Sequence, residues 1–290
     1  MCDNDTMDDA VRYELKSGLS RRQFGTLTLG AGLLSMLPPV AGAAEVIEAE
    51  VEVKTPDGTC DAYFVHPAKG TAPAVLVWPD IFGLRAAFRQ MGKRLAESGY
   101  AVLVVNPFYR TKHAPTAPEH PDFEDAATRA ALMALMQGLT PDGTVTDAKA
   151  FVAWLDSQPA VDKKRKVGTT GYCMGGPLTM RTAAAVPNRI GAGGSFHGGG
   201  LVTDKPDSPH LLVPKMKAQY LFCIAENDDQ RQPEAKNVLR EAFAKANLPA
   251  EIEVYPAQHG WCPPDSRVYN AEQAEKAWSR LLVLLNKALA

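Results

Sequence analysis

Gly171-Tyr172-Cys173-Met174-Gly175-Gly176 follows the apolar, strand-like stretch Val167-Gly168-Thr169-Thr170 and leads into a segment with helical character. A G-x-C-x-G sequence at a strand-to-helix junction reads as a sharp turn that projects its central side chain. Glycines on either side let the chain double back, and the amide of Met174 then lies beside Cys173 at a helix N-terminus. That arrangement suits attack by a thiolate on a carbonyl. The competing reading is a tight turn around an inert thiol, because a free cysteine commonly packs as a small core hydrophobe.

Two segments farther along supply the partners that an activated thiol requires. Tyr220-Leu221-Phe222-Cys223-Ile224 is an apolar strand that runs into Ala225-Glu226-Asn227-Asp228-Asp229, which places an acid at the strand's C-terminal end. Glu251-Ile252-Glu253-Val254-Tyr255 alternates as a strand and is followed by Pro256-Ala257-Gln258-His259-Gly260-Trp261, which places an imidazole in the next loop. The order cysteine, acid, histidine is the nucleophile, acid, base order of α/β-hydrolases. Asp228 and Asp229 both stand at that position. His197, in Ser195-Phe196-His197-Gly198-Gly199-Gly200, is read as a histidine that stabilises its loop, with ligand contact as the alternative.

The remaining pattern predicts an α/β fold. Strands at 49–54 and 60–65 form an N-terminal hairpin across Pro56-Asp57-Gly58-Thr59, and strands near 73–78 and 100–105 flank an amphipathic helix at 86–97. Helices are expected at 147–155, 174–185, 232–246 and 271–289. The product is a mostly parallel sheet covered on both faces, with the site at the C-terminal edge of its strands. The proline-rich stretch 107–142, with His113 and His120, reads as an excursion over the mouth of that site.

These motifs together resemble the dienelactone hydrolase (carboxymethylenebutenolidase) family over residues 48–290. Val75-Leu76-Val77-Trp78-Pro79-Asp80-Ile81-Phe82-Gly83-Leu84 and Tyr100-Ala101-Val102-Leu103-Val104-Val105-Asn106-Pro107-Phe108-Tyr109-Arg110 add to the resemblance. It implies an α/β-hydrolase fold and hydrolysis of a small lactone or ester by Cys173, with His259 as base and Asp228 orienting it. It also implies an oxyanion hole from the amides of Ile81 and Met174, and a carboxylate, here Asp80, that contacts the resting thiol. Family members hold a substrate carboxylate with arginines. Arg110 is the candidate for one of them, with a surface role as its alternative. The second is missing from Trp261-Cys262-Pro263-Pro264, which leaves dienelactone itself in question.

Composition adds boundaries. The 290 residues are 46% hydrophobic and 22% charged with a formal net charge of −2, ordinary for one soluble domain. The basic run Lys163-Lys164-Arg165-Lys166 is too short to suggest nucleic acid, and no phosphate-binding loop or metal-ligand spacing is evident. No cofactor and a monomer are therefore expected. Ser20-Arg21-Arg22-Gln23-Phe24, the mildly hydrophobic stretch 27–40 and Ala41-Gly42-Ala43 resemble a twin-arginine export signal cleaved after Ala43, giving a leader at 1–43, a catalytic domain at 44–290 and a periplasmic enzyme without a stable membrane anchor. Four cysteines follow the leader, and a Cys173–Cys262 disulfide would silence the site. The alternatives are a general carboxylesterase or thioesterase of the same fold, a non-catalytic periplasmic ligand-binding protein and a thiol-redox protein. The absence of a C-x-x-C motif weighs against the last.

Overall fold

The computed structural model describes residues 37–118 and 123–290. The twin-arginine motif at 20–24, most of the 27–40 stretch and His120 lie outside the described residues. The chain forms strands β1 (Val46–Thr55), β2 (Gly58–Pro67), β3 (Ala74–Trp78), β4 (Ala101–Val105), β5 (Val167–Tyr172), β6 (Ile190–Phe196), β7 (Gln219–Ala225) and β8 (Ala250–Tyr255). The helices are α1 (Ala86–Glu97), α2 (Ala126–Gln137), α3 (Pro141–Ser157), α4 (Gly175–Ala185), α5 (Glu226–Arg231), α6 (Ala235–Lys245) and α7 (Ala271–Ala288), with a 3₁₀ turn at Pro209–Lys215.

The uniformly apolar strands β3 (Ala-Val-Leu-Val-Trp) and β4 (Ala-Val-Leu-Val-Val) are what two-sided burial requires. Ala74, Leu76 and Trp78, with Ala101, Leu103 and Val105, join the cluster containing Phe151 and Leu155 of α3 and Leu178 of α4. Val75, Val77, Val102 and Val104 face the other way, onto Phe88 and Leu95 of α1 and Leu281 and Leu285 of α7. Each large side chain so buried contributes ~1.5–3 kcal/mol, against ~1 kcal/mol for a helix cap. Packing on both faces therefore governs the sheet, and caps only trim its helices.

The strands lie in the order β1-β2-β4-β3-β5-β6-β7-β8, antiparallel at β1/β2 and β2/β4 and parallel elsewhere. The N-terminal hairpin and the parallel pairing of β3 with β4 across helix 86–97 follow the sequence reading. After β4 the chain crosses back past β3 to form β5 on its other side. The loops leaving β3 and β5 diverge at that reversal, and open α/β sheets place their ligand crevice there.

Three local outcomes differ from expectation. The helix expected at 232–246 is α6, and the short helix α5 before it was not expected; Pro233 keeps the two apart by disfavouring helical backbone at Gln232 (φ −132, ψ 66). The helix expected from 147 begins at Pro141, where proline tolerates the first turn and the Thr140 hydroxyl accepts the Gly143 N–H at 3.0 Å. The 107–142 excursion contains α2, capped by Asp125, which accepts the Thr128 N–H at 2.7 Å. Ahead of β1, Leu37 packs against the cluster between α1 and α7 and Ala44 donates its N–H to the Glu97 carbonyl at 3.0 Å.

The turn after β5 depends on missing side chains. A Cβ on Gly171 would run into the Gly175 carbonyl and lie 2.8 Å from Thr179 Cγ2. Overpacking of this kind costs ~1–3 kcal/mol. Gly171→Ala is expected to lower the melting temperature by about 4–8 °C in thermal unfolding followed by circular dichroism. An unchanged midpoint would show that the elbow has slack.

Candidate active site

Cys173 leaves β5 in a left-handed conformation, φ +50. A non-glycine residue there is strained by ~1–2 kcal/mol and persists only where its surroundings impose it. They do so here. The Cys173 N–H donates to the Phe196 carbonyl at 3.0 Å, and the Cys173 carbonyl accepts from Gly176 at 3.0 Å and Gly199 at 3.3 Å. A Cβ on Gly175 would collide with the Trp78 carbonyl, and one on Gly176 would lie 2.6 Å from Ser195 Oγ. The elbow is thus wedged between the ends of β3 and β6. Met174 is the N-cap of α4, whose positive end favours negative charge at the thiol and beside it.

His259, in the loop after β8, is held from two sides. Its Nδ1 lies 2.7 Å from Asp228 Oδ2, and its backbone N–H donates to Asn227 Oδ1 at 2.8 Å. Both partners come from α5, the short helix that starts directly at the end of β7. The ring also hydrogen-bonds to Cys173. Burial favours the neutral imidazole, but the Asp228 carboxylate, the Cys173 sulfur and the hydrogen bonds to both outweigh it and raise the ring to about 10. Arg231 approaches the other Asp228 oxygen at 3.8 Å. Asp229 is tied to Lys236 at 2.6 Å, so the acid that meets the histidine is Asp228.

His197 also occupies a left-handed conformation, φ +40, and is buried. Its ring meets the rings of His259 and Trp261 edge-on, with centroids 5.2 and 5.0 Å away. Burial, followed by the neighbouring His259, holds it well below the ordinary imidazole range. A neutral ring therefore supports His259. Sequence placed it near the site but not against the histidine.

Ile81, the residue after Asp80, shares one buried cluster with Cys173, Met174, Phe108, Ala117, Phe123 and Leu132. The 107–142 excursion thus lies against the elbow, as its position suggested. Among the described residues the amides of Ile81 and Met174 donate no hydrogen bond, whereas the next two, Phe82 and Gly83, are spent on Asp80 at 2.9 Å each. Asp80 itself has a partner that sequence reasoning did not assign. Arg85 Nη1 and Nη2 donate to its two oxygens at 2.7 and 3.0 Å. Burial pushes the Asp80 carboxyl above the usual range, and Arg85 opposes that shift. A basic residue five positions beyond Asp80 in the same loop was the available signal.

The expectation that Arg110 holds substrate is corrected. Its guanidinium donates to Asp147 of α3 at 2.7 and 2.8 Å and to Asp57 of the β1–β2 turn at 2.6 and 3.1 Å, and it lies over the Tyr109 ring. The buried Asp147 carboxylate also accepts from the Tyr109 hydroxyl at 2.7 Å. Removing Arg110 would leave that carboxylate short of its counter-ion, so the arginine fastens the hairpin to α3. His113, read as lying near the mouth, pairs with Asp61 at 3.3 Å.

Among the described residues Cys60, Cys173, Cys223 and Cys262 are all buried, and none is in a disulfide. Cys262 lines a small cavity with Tyr172, Phe196 and Leu37. No cluster of three or more His, Cys, Asp or Glu side chains among the described residues could hold a metal ion, and no described helix is long and apolar enough to cross a membrane.

Comparison with known proteins gives the family. The sequence model of the Dienelactone hydrolase family matches residues 60–289. An Escherichia coli protein assigned as a carboxymethylenebutenolidase is 30% identical over 227 residues, covering 76% of this chain and 80% of its own. The carboxymethylenebutenolidase of Pseudomonas putida is 29% identical over 239 residues, 81% of this chain and 94% of that one. Among solved structures, a dienelactone hydrolase-like promiscuous phosphotriesterase from metagenomic libraries superposes with a TM-score of 0.69 at 21% identity, over 86% of this chain and all of that one. A family match across the sheet, the elbow and the histidine loop makes this chain a hydrolase of the dienelactone hydrolase family.

Proposed function

We propose that the protein hydrolyses a small lactone or carboxylic ester, with Cys173 as nucleophile, His259 as acid and base, and Asp228 as the residue that orients and charges His259. The observation that carries this reading is His259 itself, its Nδ1 2.7 Å from Asp228 and its side chain hydrogen-bonded to Cys173. A histidine so placed holds the proton that the thiol gives up.

In the proposed reaction the Cys173 sulfur attacks the carbonyl carbon, and the developing oxyanion takes hydrogen bonds from the amides of Ile81 and Met174. Each such donor is typically worth ~3 kcal/mol in the transition state. As the carbon–oxygen bond breaks, His259 protonates the leaving oxygen. Water then attacks the acyl thioester, His259 accepts its proton, and the sulfur departs with the acid released. Apolar neighbours of the elbow, Ile81, Phe108, Phe123 and Leu132, favour a compact acyl group with an apolar side. With Arg110 engaged elsewhere and no arginine just after His259, the substrate need not carry the carboxylate of dienelactone. A simple ester is the second reading. Export through the twin-arginine pathway, read from residues 20–43, would place the enzyme in the periplasm.

The test compares dienelactone and an aryl ester with reduced protein beginning at residue 44, alongside Cys173→Ala and His259→Ala. Turnover is expected to fall by at least ~10³-fold in both variants. Lactone-selective turnover identifies a lactonase and aryl-ester turnover alone an esterase, whereas retained activity in Cys173→Ala would refute the nucleophile.

The His259 proton is separately measurable. A ring raised to about 10 keeps its proton through neutral pH and loses it only as pH rises toward that value. Nuclear magnetic resonance titration should therefore find His259 cationic at pH 7.5 in the wild type. Asp228→Asn should lower its midpoint by more than about one unit. A wild-type midpoint near 6.5 would contradict the proposed pairing.

A further inference from the structure

We propose that Arg85 is a positioning residue for the nucleophile: by taking both oxygens of Asp80 it withholds that carboxylate from Cys173 and leaves the resting thiol to His259. This inference rests on the nucleophile assigned above.

The guanidinium is used completely. Nη1 donates to Asp80 Oδ1 at 2.7 Å and to the Gly83 carbonyl at 3.4 Å. Nη2 donates to Asp80 Oδ2 at 3.0 Å and Asp265 Oδ1 at 2.9 Å, and Nε to Asp265 Oδ2 at 2.6 Å. All five N–H groups thus have acceptors, a pattern that lysine, with one nitrogen, cannot reproduce. The group also lies over the rings of Phe82 and Phe88, with centroids 5.3 and 4.9 Å away, which fix its plane. Side chains of Arg85 and Asp80 are only 14% and 9% exposed, so water offers the carboxylate little competition.

Asp80 belongs to the loop that packs on the elbow. The next residue, Ile81, packs with Cys173 and Met174, and the carbonyls of Trp78 and Pro79 press on Gly175 of the elbow. An unpaired carboxylate there would compete with His259 for the thiol proton and disfavour the thiolate, because like charge raises a neighbour's pKa. Paired with Arg85, it does neither. Other charged or titratable groups on the elements around the thiol and its histidine include Asp228 and Arg231 from α5, His197 after β6, Tyr172 at the end of β5, and Cys262 and Asp265 from the loop that carries His259. Of these, Asp228 works through His259, and His197 is held neutral by its burial.

Alkylation of Cys173 by iodoacetamide, followed by mass spectrometry as a function of pH, tests the inference without any ester. The expected result is that Arg85→Met slows alkylation at pH 7 about tenfold and moves the pH midpoint upward by about one unit. Adding Asp80→Asn to that variant should restore the rate to within about threefold of wild type. Asp265→Asn, which keeps the Arg85–Asp80 pair, should leave the profile in place. If Arg85→Met fails to fold, Arg85→Lys serves in its stead, with the same direction of shift and the same rescue by Asp80→Asn. An unshifted profile in the Arg85 variant, no rescue by Asp80→Asn, or a shift in Asp265→Asn as large as in Arg85→Met would each overturn the proposal. A protein that turns over no ester yet shows the slowing and the rescue refutes the hydrolase mechanism and supports Arg85. Ester turnover with alkylation indifferent to Arg85 does the reverse.

Discussion

The left-handed turn at Cys173 constrains everything packed around it. At φ +50 the backbone can be held only if chain segments on three sides approach closer than side chains would allow. Glycines at 171, 175 and 176 make room for those segments: the carbonyls at the end of β3, the start of α4 and the chain leaving β6. Hydrogen bonds from Cys173 to Phe196 and from Gly176 and Gly199 to Cys173 then lock the turn. Position and strain have one cause, since the packing that makes the conformation tolerable also aims the thiol at the end of the sheet.

Around that turn the charges are paired in two separate systems. One runs from Asp228 through His259 to the thiol, with α5 fixing both the acid and, through Asn227, the histidine backbone. The other runs from Asp80 through Arg85 to Asp265 and fastens the loop after β3 to the loop that carries His259. Buried carboxylates are tolerated only when paired and hydrogen-bonded. Asp228 accordingly meets His259, Asp80 and Asp265 share Arg85, and Asp147, more distant, is satisfied by Arg110 and Tyr109.

Strand order explains why these loops meet. Because β5 forms on the far side of β3 from β4, the loop after β3 and the elbow after β5 leave adjacent strands at the point where the chain reverses direction across the sheet. Parallel pairing of β5, β6, β7 and β8 brings the segments after them to the same edge. The fold thereby converts separation along the chain, from Cys173 to His259, into hydrogen-bonding distance.

Much of this was legible in the sequence because it is encoded locally. Continuous apolar runs in β3 and β4 announced two-sided burial, the glycines around Cys173 announced a turn that side chains would block, and the order of Cys173, Asp228 and His259 at strand ends announced the site. The start of α3 was missed because Pro141 in the first turn and the Thr140 cap were not read as a helix start, and α5 was missed ahead of Pro233. Tertiary structure alone decided the pairings of long polar side chains. Arg110 and Arg85 look alike as arginines in loops after strands, yet one fastens a hairpin to a helix and the other spans two active-site loops. The family resemblance already favoured Asp228 over Asp229, and the fold gives the second to Lys236. A backbone turn is fixed by sterics within a few residues, whereas an ion pair is fixed by which distant segment the packed sheet brings within about 3 Å, and that distance exists only once the fold has formed.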